Sequence, residues 1–425
     1  MRQPLFLACA EQNNKKWYKL SLEWKNQTFA ARLSFIVRKS FIGGTLFKLL
    51  KDGHCFAPDN LGKKDILIVY DKIGAIEDEI LPGKYGDAEV IDCRQCLVCP
   101  GIIDQHVHIT GGGGEQGPIS RIPEIMLSEI IEAGVTTVVG VLGFDSITRS
   151  IAGLLAKARA LEAEGITTYI YTGSYGSPTE TLTGRVLTDL VLLDKVIGVG
   201  EVAIADYRSN HPSLEDLRTL ASEANAGGML GGKAGILHLH IGDGEEGLDS
   251  LFRLINESDF PVEMFVPTHI NRNPKLFEQG MELLKRGGNI DLTAGESAGY
   301  SVAEALSKLL QNNLSLDRVT VSSDGNGSAP DDGVSYMDQL IKDIRACVLE
   351  KHLDFAEVIK TVTLNPAKVL KLHPKKGCLL PGSDADILVL KQKDLSIHWL
   401  LARGEVAVEE RKAVIKGKYE KPRYK

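Results

Sequence analysis

Asp104-Gln105-His106-Val107-His108 decides how this chain is read. Preceded by Gly101-Ile102-Ile103, the pentad reads as the end of a buried strand, where residues two apart project to one face. His106 and His108 therefore offer two imidazoles to a single metal ion. Further along, His240, His269 and Asp324 each fall at the end of another short apolar run. A parallel barrel displays its functional side chains at the C-terminal ends of its strands, so five candidate ligands would share one rim.

Outward from the pentad, strand-like and helix-like segments alternate between about residues 101 and 375. Strand candidates end near His108, Val141, Thr172, Ile204, His240, His269, Ala294 and Asp324, with helical stretches such as Ile122 to Ala133 and Ile151 to Glu164 between them. Eight such units predict an α/β fold, a (β/α)8 TIM-like barrel. A doubly wound sheet would also alternate, but Gly111-Gly112-Gly113-Gly114 lacks the Gly-x-Gly-x-x-Gly pattern and reads instead as a mobile active-site loop. Short alternating strands flank this region, at 65–70, 72–76 and 88–92 and again at 384–390, 398–404 and 413–417. They predict a small β-sandwich domain built from both chain ends, residues 43–99 and 376–425, beside a barrel at 100–375. Residues 1–42 stand apart, with eight Lys or Arg against two Glu and two of the three tryptophans, and read as an extension of unassigned role.

Composition removes several classes of function. A net charge of −7 gives no footprint for nucleic acid or an anionic membrane, so no such partner is expected. No apolar run approaches the roughly 20 residues that span a bilayer. Seven cysteines, an odd number spread over 425 residues, fit a reducing compartment and a cytoplasmic protein. Cys93, Cys96 and Cys99 repeat every third residue, which does not keep thiols on one strand face, and they are expected to pack in a core.

Together, Pro100 to His108, Gly111 to Pro118, Pro267-Thr268-His269-Ile270-Asn271-Arg272-Asn273 and Ser322 to Ser328 resemble the amidohydrolase superfamily, specifically its isoaspartyl dipeptidase (β-aspartyl peptidase) branch. The similarity covers roughly residues 43 to 420. It implies two metal ions, usually zinc, with His106, His108 and Asp324 on one and His240 and His269 on the other. It also implies a metal-bound hydroxide that attacks the scissile amide of a small dipeptide, Asp324 acting as base and then acid. His238, two residues before His240, is expected beside the ligands or in the barrel interior. The family often forms homo-oligomers.

The bridging position departs from a common family pattern. Many relatives place a carboxylated lysine there; in Val196 to Arg208 the matching residue is Glu201. Glutamate keeps one negative charge and two oxygens, but its stem is shorter by about three bonds, roughly 3–4 Å. Gly200 is one extra residue before the bridge, and an inserted glycine predicts a β-bulge that pushes the strand toward the metals. Two divalent ions against Asp324, Glu201 and a hydroxide leave the centre slightly cationic.

For the substrate, the resemblance implies that Glu115 takes the α-ammonium, Arg208 and Arg272 take carboxylates bidentately, and Ser328 adds a hydroxyl. Tyr175 would donate to the carbonyl oxygen as it gains charge. The alternatives are an amidohydrolase acting on cyclic amides or N-acyl amino acids and, less in keeping with a full ligand set, a catalytically silent scaffold.

Overall fold

A computed structural model describes residues 46–329 and 333–420. The extension expected at residues 1–42 lies outside the described residues. Eight parallel strands form the barrel: β1 (Ile102–Val107), β2 (Val135–Gly140), β3 (Thr167–Thr172), β4 (Val196–Ile204), β5 (Ile236–Ile241), β6 (Phe265–Thr268), β7 (Ile290–Thr293) and β8 (Val319–Ser322). Every residue of β1, β2 and β4 to β8 is buried, as strands covered on both faces by helices require. Strands β1 to β6 pair continuously and β7 pairs with β8. The seams are crossed by Ile270 N–H to Asp291 O at 3.2 Å and by His108 N–H to Gly325 O at 2.9 Å.

The connecting helices start where the sequence supplies caps. Ser150 caps Ile151–Glu164, Ser213 and Asp216 form a capping box on Leu214–Gly231, and Asn273 with Pro274 opens Pro274–Lys285. The helix read between Ile122 and Ala133 is shorter, only Leu127–Ile131. Its first residues belong to the glycine loop instead, because the Arg149 guanidinium holds the carbonyl of Ile122 together with those of Thr110 and Gly112, at 3.0 to 3.1 Å. That loop is therefore anchored at its base by Arg149.

Beside the barrel lies a separate nine-stranded mixed sheet that gathers strands from both chain ends, in keeping with a β-sandwich domain. Its seam joins Cys96–Pro100 to Ile387–Lys391, antiparallel, with Cys99 opposite Leu388. It has a core of its own, including Leu50, Ile66, Ile68, Val389 and Leu401. Cys55, Cys93 and Cys96 pack there, while Cys99 faces the barrel core, and the six described cysteines are all free and buried. Lys376, fully buried, is clamped between Asp384 and Asp386 where the chain passes from barrel to sheet.

Beneath the rim, the barrel interior holds a polar plug. Asp291 accepts from Gln105 Nε2 at 2.8 Å, Thr268 Oγ1 at 2.7 Å, Thr320 Oγ1 at 2.6 Å and Ser322 Oγ at 2.5 Å. A buried carboxylate so fully satisfied is a fixed floor for the side chains above it.

Candidate metal centre

The barrel brings His106, His108, Glu201, His240, His269 and Asp324 to one rim. All six are buried. Donor atoms of His106, His108 and Asp324 lie within 4.8 Å of one another, as do those of His106, Glu201 and His269. Asp324 Oδ1 is 3.3 Å from His106 Nε2 and 3.1 Å from His108 Nε2. His240 Nδ1 is 3.1 Å from Glu201 Oε2 and 3.0 Å from His269 Nε2. His269 and Asp324 take φ values of 65° and 51°, left-handed conformations that are uncommon without glycine and that turn each chain off its strand end.

Glu201 stands between the two groups. Its Oε2 is 3.2 Å from His106 Nε2 and its Oε1 is 3.3 Å from His108 Nε2, while Oε2 also faces His240. The strand carries the extra residue expected from the sequence: Leu237 pairs with Val199 and Leu239 with Val202, so three steps on β4 match two on β5. Gly200 fills the bulge at φ 155°, where a Cβ would meet His238 Cβ and O at 2.7 Å. The bulge thus lies immediately before Glu201, whose oxygens reach both histidine groups despite the short stem.

These residues fit divalent ions. Ligands about 2.0–2.2 Å from a tetrahedral ion sit roughly 3.3–3.6 Å apart, close to the spacings here. His106 Nε2, Glu201 Oε1 and Asp324 Oδ1 are buried with no hydrogen-bond partner although they converge. The site also demands positive charge: burial alone lowers the pKa of His106, yet Glu201 and Asp324 raise it to about 9. Burial works against the Glu201 carboxylate too, and the histidines around it hold it well below the ordinary range.

Flanking contacts orient the ligands. His238 Nε2 lies 3.1 Å from His106 Nδ1, with its ring stacked on Tyr171, which places it in the barrel interior. Tyr175, buried, puts its hydroxyl 3.0 Å from His240 Nδ1; burial pushes its pKa well above the ordinary phenol value. Asp206, a residue the sequence reading left without a role, lies 3.0 Å from His240 Nε2. Its signal was present, two residues before Arg208 in the same strand-end segment.

A cavity of about 940 Å³ is lined by Glu115, Arg208, Arg272 and Ser328, with Glu296 and Asp206, which touches His240, among its other walls. The Ser328 hydroxyl donates to Glu115 Oε1 at 2.8 Å, and Arg208 Nη1 reaches the same oxygen at 3.4 Å. Arg272 Nη1 donates to Ile241 O at 2.8 Å, and its Nε lies 3.8 Å from Glu296 and 4.0 Å from Asp243. Asp243 and Glu296 follow the ends of β5 and β7 by two and three residues, and the sequence reading gave neither a role.

The amidohydrolase family model matches residues 97–418. The chain belongs to the amidohydrolase family. The β-aspartyl dipeptidase of Fervidobacterium islandicum AW-1, solved in complex with β-Asp-Leu, is 44% identical, covers 87% of this chain and 98% of its own, and superposes with a TM-score of 0.82. An adenine deaminase of Geobacillus kaustophilus is 25% identical over 78% of this chain, which spans 53% of that relative's length. A dihydroorotase of Elusimicrobium minutum is 24% identical over 84% of this amidohydrolase and 90% of its own length.

Proposed function

We propose that this amidohydrolase cleaves β-aspartyl (isoaspartyl) dipeptides to aspartate and an amino acid. The observation that carries the reading is the doubled cage of histidines and carboxylates joined through Asp206 and Arg208 to a pocket of both charge signs, in a chain 44% identical to a dipeptidase bound to β-Asp-Leu. Two zinc ions suit the donor set, His106, His108 and Asp324 holding one, His240 and His269 the other, with Glu201 between them. Bound there, such ions polarise the amide carbonyl and lower the pKa of water toward about 7.

The chain's own groups have distinct tasks. Asp324 faces both His106 and His108, where it takes a proton from the attacking water and returns it to the leaving amine. The Tyr175 hydroxyl, beside His240 Nδ1, donates to the carbonyl oxygen as charge develops. Glu115 receives the α-ammonium, and Arg208, Arg272 and Ser328 receive the carboxylates. Family resemblance supports a homo-oligomer, and the six described cysteines, all free, support a cytoplasmic setting. No described helix is long and apolar enough to cross a membrane.

Turnover of β-Asp-Leu tests the reading, measured against α-Asp-Leu, an N-acyl amino acid and a dihydropyrimidine. Preference for β-Asp-Leu is expected. Faster hydrolysis of the acyl or cyclic substrate would reassign the activity within the family.

A further inference from the structure

We infer that Asp206 is a positioning residue that ties one metal position to the substrate-binding arginine, through a single carboxylate shared between His240 and Arg208. The inference rests on the two-ion dipeptidase reading and deepens it. Asp206 is 4% exposed, and both of its oxygens are engaged. Oδ2 lies 3.0 Å from His240 Nε2 and accepts from Arg208 Nη2 at 2.7 Å. Oδ1 accepts from the Arg208 backbone N–H at 2.8 Å and from Nε at 3.0 Å.

Two consequences follow for the site. His240 turns Nδ1 toward Glu201 Oε2 and His269 Nε2, so Nδ1 must present its lone pair there if the imidazole is to ligate. The ring proton then resides on Nε2, whose neighbours are Asp206 Oδ2 at 3.0 Å and Arg208 Nη2 at 3.1 Å; the guanidinium can only donate, so Asp206 is the acceptor, which fixes the tautomer and makes the imidazole a better metal ligand. Arg208 is committed at the same time. Its Nε/Nη2 edge is taken by Asp206, with Nη2 also 3.1 Å from His240 Nε2, its guanidinium sits 5.4 Å over the Tyr175 ring, and its Nη1 end reaches Glu115, which lines the pocket. A substrate carboxylate therefore meets Arg208 end-on rather than along the Nε edge.

The backbone is built to bring Asp206 this close. Ala205 before it has φ 53°, and Gly244 N–H bonds Ala205 O at 2.8 Å. A Cβ on Gly242, just past the end of β5, would meet Asp206 Cβ at 2.6 Å and its Cα at 2.7 Å. Glycine at 242 is what lets the carboxylate reach His240.

The test uses full-length protein loaded with zinc, dialysed against buffers of stepped free zinc, with metal per chain by elemental analysis and kinetics on β-Asp-Leu. Asp206→Asn is expected to weaken one of the two ions by about 10–100-fold, to leave the other bound, and to raise KM. Arg208→Lys is expected to raise KM while both ions bind as in wild type. Gly242→Ala, which displaces Asp206 without changing its chemistry, is expected to weaken the same ion and takes over the comparison if Asp206→Asn does not fold. Wild-type affinity for both ions in Asp206→Asn, or in Gly242→Ala, overturns the inference. Failure of the wild-type chain to bind two ions or to cleave β-Asp-Leu overturns the underlying reading instead.

Discussion

Replacing Gly200 with alanine probes the device that lets a glutamate stand where a longer side chain would otherwise reach. The added Cβ would lie 2.7 Å from His238 Cβ and 2.7 Å from its carbonyl oxygen, about 0.7 Å short of the 3.4 Å at which ordinary contact begins. One of the two obstacles is backbone, so the bulge itself must move. Metal ligands tolerate displacements of about 0.2 Å, and Glu201 is the next residue, so a shift of this size carries its oxygens out of range of the shared cage. Crowding in a packed barrel and a φ that side chains rarely adopt together cost about 2–5 kcal/mol. Urea unfolding of the metal-free protein reads the stability loss, and elemental analysis of the zinc-loaded protein reads the displaced bridge. We expect Gly200→Ala to be destabilised by that amount and to retain fewer than two ions per chain. A variant of unchanged stability that holds both ions would refute the link between the bulge and the bridge.

Other expectations follow from the same geometry. Glu201→Gln removes the charge shared by the two histidine groups, and elemental analysis is expected to find one tightly held ion at most; two retained ions would contradict the bridging role. Arg149→Met releases the carbonyls of Thr110, Gly112 and Ile122 at the base of the loop bearing Glu115, and KM for β-Asp-Leu is expected to rise about tenfold with kcat little changed. An unaltered KM would show that the loop is held by other contacts. Lys376→Met leaves Asp384 and Asp386 buried without their cation and is expected to cost about 3–5 kcal/mol by urea unfolding. The pH dependence has a definite sign. Burial opposes the Asp384 charge, but Lys376 and Lys72 lower its pKa from the ordinary 3.8, so its contribution holds above about pH 4 and fades as pH falls through the lowered value.

Much of the fold was legible because both period and boundary signals agree in the barrel. Each strand is a short apolar run that stops at a turn residue, and the ends inferred at Thr172 and Ile204 coincide with those of β3 and β4. His106, His108, His240, His269 and Asp324 were legible for the same reason, since each sits beside a strand end; Glu201, inside β4, was legible only through the family resemblance. The bulge was legible from one surplus glycine. What escaped depends on contacts between segments distant in sequence. Phe47–Phe56 is a ten-residue strand, but Lys51, Asp52 and Gly53 interrupt its alternation at a register shift. The helix read from Ile122 loses its first residues to Arg149, which no local pattern announces. Asp206 was visible as a residue and invisible as a partner, because its contact with His240 forms only when β4 and β5 lie side by side. Arg272 was expected to be free for a carboxylate, and the neighbourhood of Glu296 and Asp243 emerges only from the closed barrel.

The central claim is that imidazoles and carboxylates from separate strands form one cage whose ions make the hydrolytic site. Its most direct test is a zinc titration of chelator-stripped protein, following β-Asp-Leu hydrolysis against equivalents added. The account predicts no turnover in the stripped chain and full activity at two ions per chain. Undiminished turnover in protein shown by elemental analysis to hold no metal would contradict it.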